Sequence, residues 1–132
     1  MPDDARRADD GAAGMRLRSL LFVPGDSERK FAKAQLCGAD ALILDLEDSV
    51  APTAKDAARA HVASLLANGG ARDWRFFVRV NPFDTGLTLA DLAAVVRAGL
   101  DGILVPKVDG AEDVVRIGHY LDAFEQAAGL PI

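Results

Sequence analysis

Residues 41–50 read Ala41-Leu42-Ile43-Leu44-Asp45-Leu46-Glu47-Asp48-Ser49-Val50, an apolar run that turns acidic at its end. The stretch Ala41 to Leu46 is short and almost continuously apolar. That suits a strand covered on both faces, as in a parallel sheet. Three runs of the same kind surround it. Ser19 to Val23 (SLLFV) stops at Pro24-Gly25, Phe76 to Val80 (FFVRV) at Asn81-Pro82, and Gly102 to Val105 (GILV) at Pro106.

Helical patterns separate the runs. The spacing predicts helices over Glu28 to Leu36, Thr53 to Ala67, Thr88 to Arg97 and Glu112 to Ala128. The second has Ala54, Ala58, His61, Val62, Leu65 and Leu66 on one face. The third has Leu89, Leu92, Ala93 and Val96, and the fourth Val114, Ile117, Leu121 and Phe124. Thr53 with Asp56, and Thr88 with Asp91, form Thr-x-x-Asp start signals in which the threonine oxygen is expected to cap the first turn. Gly38, Gly69-Gly70, Gly99 and Gly129 fall near the helix ends.

Four strand–helix units in succession make an α/β pattern. They suit either a small doubly wound sheet or half of an eight-unit barrel. No G-x-G-x-x-G follows the first strand, so a dinucleotide-binding sheet has no positive support. Leu130-Pro131-Ile132 resembles the start of a fifth strand. The expectation is the N-terminal half of a parallel (β/α)8 TIM barrel, four units long and truncated at the fifth strand, over residues 16–132.

Composition narrows the function classes. Of the 132 residues, 50% are hydrophobic and 27% charged, an ordinary globular balance. No apolar run approaches the roughly 20 residues that span a bilayer, so no membrane partner is expected. The net charge of −5 speaks against a nucleic-acid partner. The single cysteine, Cys37, forms no intrachain disulfide, which fits a reducing, cytoplasmic setting; it is expected as a buried thiol. Residues 1–15 match neither a secretory signal nor a transit peptide and are expected as a flexible tail.

In parallel α/β folds ligands bind at the carboxyl ends of the strands. Asp45, Glu47 and Asp48 fall there, and three carboxylates in so short a span need cations or donors. Asp48 as a cap with Asp45 in an ion pair is the alternative. Arg79, between Val78 and Val80, is a charge in a strand expected to be buried. It suits a planar carboxylate ligand, or a structural pair with Glu47 or Asp45. Asn81 and Lys107 follow the third and fourth strands. Arg29, Lys30 and Lys33 form a basic cluster on the first helix, available to a phosphate or simply solvated. His61 and His119 are expected away from the strand ends, and Trp74 as a packing residue.

Taken in order, Ser19-Leu20-Leu21-Phe22-Val23-Pro24-Gly25, Phe31-Ala32-Lys33-Ala34, the stretch from Leu44 to Pro52 (LDLEDSVAP), Val78-Arg79-Val80-Asn81 and Pro106-Lys107-Val108 resemble the citrate lyase β-subunit/malyl-CoA lyase family. This is the HpcH/HpaI aldolase group of the pyruvate/phosphoenolpyruvate barrel superfamily. The resemblance implies a TIM barrel, a Mg²⁺ ion, and a substrate carried as a thioester on coenzyme A or an acyl-carrier protein. The implied reaction is aldol/Claisen-type carbon–carbon cleavage of a 3-hydroxyacyl thioester, such as malyl-, citramalyl- or citryl-CoA, to a 2-oxo acid and acetyl-thioester.

By the same resemblance Arg79 is catalytic and substrate-binding, Glu47 is catalytic, and Asn81 and Lys107 contact substrate. Glu47 and Asp48 stand near the metal as partners of its waters, and Lys30 approaches the carrier's phosphates. The family's direct metal ligands lie on the fifth strand and the one after it, beyond Ile132, so the chain alone is expected to be inactive and to self-associate as a homo-oligomer. A non-catalytic half-barrel that captures coenzyme A or an acyl carrier, and an aldolase acting on free hydroxy-oxo acids, are the competing expectations.

Overall fold

The computed structural model describes residues 16–131. The expected tail, residues 1–15, and Ile132 lie outside the described residues. Four strands alternate with four helices: β1 (Leu20–Pro24), α1 (Glu28–Ala34), β2 (Ala41–Asp45), α2 (Lys55–Ala67), β3 (Arg75–Arg79), α3 (Thr88–Val95), β4 (Gly102–Leu104) and α4 (Ala111–Ala127). Short 3₁₀ turns, Pro52–Ala54 and Phe83–Thr85, precede α2 and α3.

The sheet order is β1-β2-β3-β4 and every pairing is parallel. A doubly wound sheet reverses its order at a switch point. This sheet does not, and adds each strand beside the last, as a barrel does. Register sets the rows. Pro24, Asp45, Arg79 and Leu104 lie side by side, and Phe22, Ile43, Phe77 and Gly102 form the row below. Because alternate residues face opposite sides of a strand, these rows share one face. Val23, Leu44, Val78 and Ile103 lie on the other, where they join the apolar core with Val62 and Leu66 of α2, Leu92 and Val95 of α3 and Ile117 of α4.

Coverage on both faces holds for β2, whose five residues are all buried, but not for the outer strands. Leu20 and Phe22 of β1 are each 48% exposed and Leu104 of β4 is 38% exposed. They are at the margins of the sheet, with a neighbour on one side only.

The helices correct several expectations. On α3 the buried face is Thr88, Asp91, Leu92 and Val95, while Leu89 is half exposed. On α4 Ile117 is buried but Val114 is exposed. Neither threonine caps a helix. Thr53 lies in the 3₁₀ turn, and the Thr88 hydroxyl donates to the carbonyl of Asn81 at 2.8 Å. The side-chain cap is Ser27, which accepts from the backbone N–H of Lys30 at 3.2 Å. Gly129 (φ 69°) takes a left-handed conformation, and the N–H of Leu130 returns to the carbonyl of Glu125 at 2.9 Å to close α4. Cys37, expected as buried, is exposed just beyond α1. Trp74 is buried between the rings of Phe31 and Phe76, as its packing role requires.

Candidate active site

The row that ends the strands brings together carboxylates and cations that lie far apart in sequence. Parallel pairing places Asp45 directly beside Arg79. Arg79 Nε donates to Asp45 Oδ1 and Arg79 Nη2 to Asp45 Oδ2, both at 2.8 Å, a planar two-point grip. Asp45 is 1% exposed. It also accepts from the N–H of Glu47 (2.9 Å), the N–H of Ser49 (3.0 Å) and the Ser49 hydroxyl (2.6 Å). Burial raises the Asp45 pKa, but these donors, Arg79 foremost, outweigh it and hold the carboxyl well below the ordinary range.

Asp45 therefore organises the loop that carries the other two acids. Lys55 supports that loop from beneath, its ammonium donating to the carbonyls of Leu46 and Glu47 at 2.8 Å each. Glu47 is buried, with a cation at each oxygen. Arg79 Nε is 3.5 Å from Oε1, and Lys107 Nζ is 3.1 Å from Oε2. Oε2 has an ion-pair contact but no hydrogen bond among the described residues. Asp48 is exposed, 3.6 Å from Lys107. The pairing with Glu47, then with Asp48, raises the Lys107 pKa, and the hydrogen bonds from Arg79 to Asp45 raise that of the guanidinium. Lys107 holds a left-handed backbone (φ 52°), costly for a residue with a Cβ.

Asp45, Glu47, Asp48, Arg79 and Lys107 thus converge. Lys30 and Asn81 do not. Lys30 is exposed on α1 and lines an open groove of about 320 Å³ with Leu21, Phe22, Lys33 and Cys37. Asn81 is buried, and its backbone N–H and side-chain amide both donate to Asp91 Oδ2 on α3 at 2.8 Å. Asp91 in turn takes Arg59 Nε of α2 at 3.0 Å. Asn81 thus ties the strand end to the helical layer.

His61 is closer to the site than expected. Its Nδ1 donates to the carbonyl of Gly25, in the loop after β1, at 2.6 Å. Gly25 N–H donates to the carbonyl of Asp45 at 2.8 Å, and a Cβ on Gly25 would stand 2.6 Å from that oxygen. Ser49, Lys55, Gly25 and Phe22, whose ring lies under Arg79, are the participants that sequence reasoning missed. For Ser49 a signal existed, since an aspartate that accepts from N–H groups just downstream is a common loop former. For the others the partners are set by the sheet.

The described residues do not by themselves fit a Mg²⁺ ion. Among them no three acidic, histidine or cysteine side chains converge on a metal position, and Asp45 already has five hydrogen bonds. Three carboxylates here face the cations of Arg79 and Lys107, and the Lys55 ammonium on the same loop is a third, so the formal charges balance.

Residues 18–130 match the profile of the HpcH/HpaI aldolase/citrate lyase family. Citrate lyase subunit beta of Haemophilus influenzae is 40% identical over 112 residues, which cover 85% of this chain and 38% of that protein. A (3S)-malyl-CoA thioesterase of Cereibacter sphaeroides is 45% identical over 97 residues, 74% of this chain and 34% of that protein. A citrate lyase beta subunit from M. tuberculosis, solved with oxaloacetate and magnesium, is 35% identical with a TM-score of 0.56, over 74% of this chain and 42% of that one. Haloferax volcanii malate synthase shares the fold, with a TM-score of 0.76 at 19% identity over 90% of this chain and 38% of that one. The chain spans under half the length of these relatives. Its strand order, its rows and its matched residues make it a member of the HpcH/HpaI aldolase/citrate lyase family, comprising four strand–helix units of an α/β half-barrel.

Proposed function

We propose that the whole protein built on these residues is a carbon–carbon lyase of a 3-hydroxyacyl thioester, with malyl-, citramalyl- and citryl-CoA or their carrier-bound equivalents as the substrate class. Cleavage of the bond between the hydroxyl-bearing carbon and the carbon next to the thioester gives a 2-oxo acid. The hydroxyl gives up its proton to a base as it becomes the oxo group, and the electron pair of the broken bond passes to the carbon next to the thioester, which takes up a proton to become the methyl of acetyl-thioester. One observation carries the reading. Arg79 stands at the strand ends with its Nε side spent on Asp45, while Nη1 donates to no described residue. That end offers paired N–H groups to the carboxylate of the departing oxo acid.

Glu47, paired with Arg79 and Lys107, keeps an Oε2 without a hydrogen bond to a described residue, and this oxygen accepts one from the substrate hydroxyl once Lys107 moves aside. Magnesium belongs to this reading only as an ion held by other residues of the whole protein. Glu47 and Asp48 would then face its waters. Lys107 faces Glu47 and the substrate entrance together, and Lys30 remains the candidate for the carrier's phosphates. Asn81 supports the strand end rather than touching substrate. A cytoplasmic, homo-oligomeric enzyme and a separate tail over residues 1–15 complete the proposal. Among the described residues no helix is long and apolar enough to cross a membrane.

The test uses a chain completed to family length, with Mg²⁺ and each thioester in turn. Glyoxylate, pyruvate or oxaloacetate is expected to appear with acetyl-CoA in equal amounts, and Arg79→Lys should lower the rate by about 10²–10³-fold. Release of free coenzyme A and the intact hydroxy acid, with no oxo acid, would establish thioester hydrolysis instead. The thioesterase relatives favour that second reading.

A further inference from the structure

Phe22 is a large aromatic residue that the core does not use. It is 48% exposed and lies outside the buried apolar cluster. Its strand row is one below that of Asp45 and Arg79, and one strand, β2, separates it from β3. From there its ring reaches the guanidinium, with Arg79 Cζ 4.5 Å from the ring centroid. That distance is well inside the range of a cation–π contact. Asp45 grips the Nε side of the same plane. One edge and one face of the guanidinium are thus held by different strands, which leaves the Nη1 end without a hydrogen bond to a described residue.

We infer that Phe22 is a positioning residue for Arg79. Its ring sets the plane of the guanidinium, so that the Nη1 end points at an incoming carboxylate. Asp45 alone fixes the edge but permits the plane to tip about the paired hydrogen bonds; the ring removes that freedom. The inference rests on the reading of Arg79 as a carboxylate-binding group. It also explains why an aromatic residue stands here: leucine fills similar space but has no π face for a cation.

The experiment uses the 132-residue chain, with oxalate as the probe. The side-chain Nε–H signal of Arg79, identified by its loss in Arg79→Lys, is followed by NMR in wild type, Phe22→Tyr and Phe22→Leu. Fluorescence of Trp74 confirms that each variant is folded. The ring current of Phe22 should displace the signal in wild type and in Phe22→Tyr. Phe22→Leu should abolish the displacement and weaken oxalate binding about two- to five-fold, the share of a partly exposed cation–π contact. If the tyrosine and leucine variants shift the signal alike, or neither shifts it from wild type, the ring only fills space and the inference fails. If the signal behaves as expected but wild type binds no oxalate, positioning stands and the carboxylate role of Arg79 falls.

Discussion

Replacing Asp45 with asparagine keeps the side-chain shape and removes the charge from a group with five hydrogen bonds and almost no exposure. All five of its partners are donors. An asparagine turns one acceptor into a donor, which then faces either Arg79 Nε and the N–H of Glu47, in the place of Oδ1, or Arg79 Nη2 and the N–H and hydroxyl of Ser49, in the place of Oδ2. Removing one partner of a buried pair typically costs about 3–5 kcal/mol. Here the low end applies, because Arg79 is 22% exposed and Glu47 remains 3.5 Å from its Nε. The expected loss is about 3 kcal/mol. Urea unfolding read by Trp74, the only tryptophan and a buried one, measures it directly. Adding Arg79→Met should restore part of the loss, since a buried pair removed whole is far less damaging than a buried pair broken. A loss under about 1 kcal/mol in the single variant, or strictly additive losses in the double, would refute the account of Asp45 as the organiser of the mouth.

Other consequences follow from single distances. Gly25→Ala should destabilise the chain by about 1–3 kcal/mol, because its Cβ meets the carbonyl oxygen of Asp45 at 2.6 Å; an unchanged urea midpoint would show that the loop shifts freely. In a Glu47→Gln background Lys107→Gly should raise stability by about 1 kcal/mol, since the left-handed strain is relieved and only the exposed pair with Asp48 is given up. A fall there would mean that the lysine stem packs more than it strains. Asp40 is held at about 2 by hydrogen bonds from Arg18, its side chain first. A depressed carboxylate pKa stabilises the fold above the unfolded value near 3.9 and loses that contribution as pH falls toward the folded one. NMR titration of Arg18→Ala should find Asp40 moved up toward its ordinary value, and an unmoved midpoint would assign the depression elsewhere.

Much of this architecture could be read from local pattern. The four strands were expected within a residue or two of where they stand, because short apolar runs closed by proline or glycine are a property of the run itself. Helix faces were less exact. Leu89 and Val114 look like core residues by spacing yet are exposed, since the side of a helix that is buried depends on what lies beneath it. The capping threonines failed for a related reason. Thr88 found a better acceptor in the carbonyl of Asn81, seven residues away in sequence and adjacent only once β3 and α3 pack.

That acids and an arginine end the strands of an α/β fold is legible from residue order alone, because strand period and strand ends are set by neighbours in the chain. The same order offered two partners for Arg79 and left the choice open. Packing made that choice, through the parallel register that sets Asp45 beside Arg79, 34 positions away in sequence. The same packing turned Asn81 toward Asp91, His61 toward Gly25 and Lys107 toward Glu47. Hydrogen bonds and ion pairs act over a few ångströms, so the role of each polar group was settled by which strand or helix came to lie next to it.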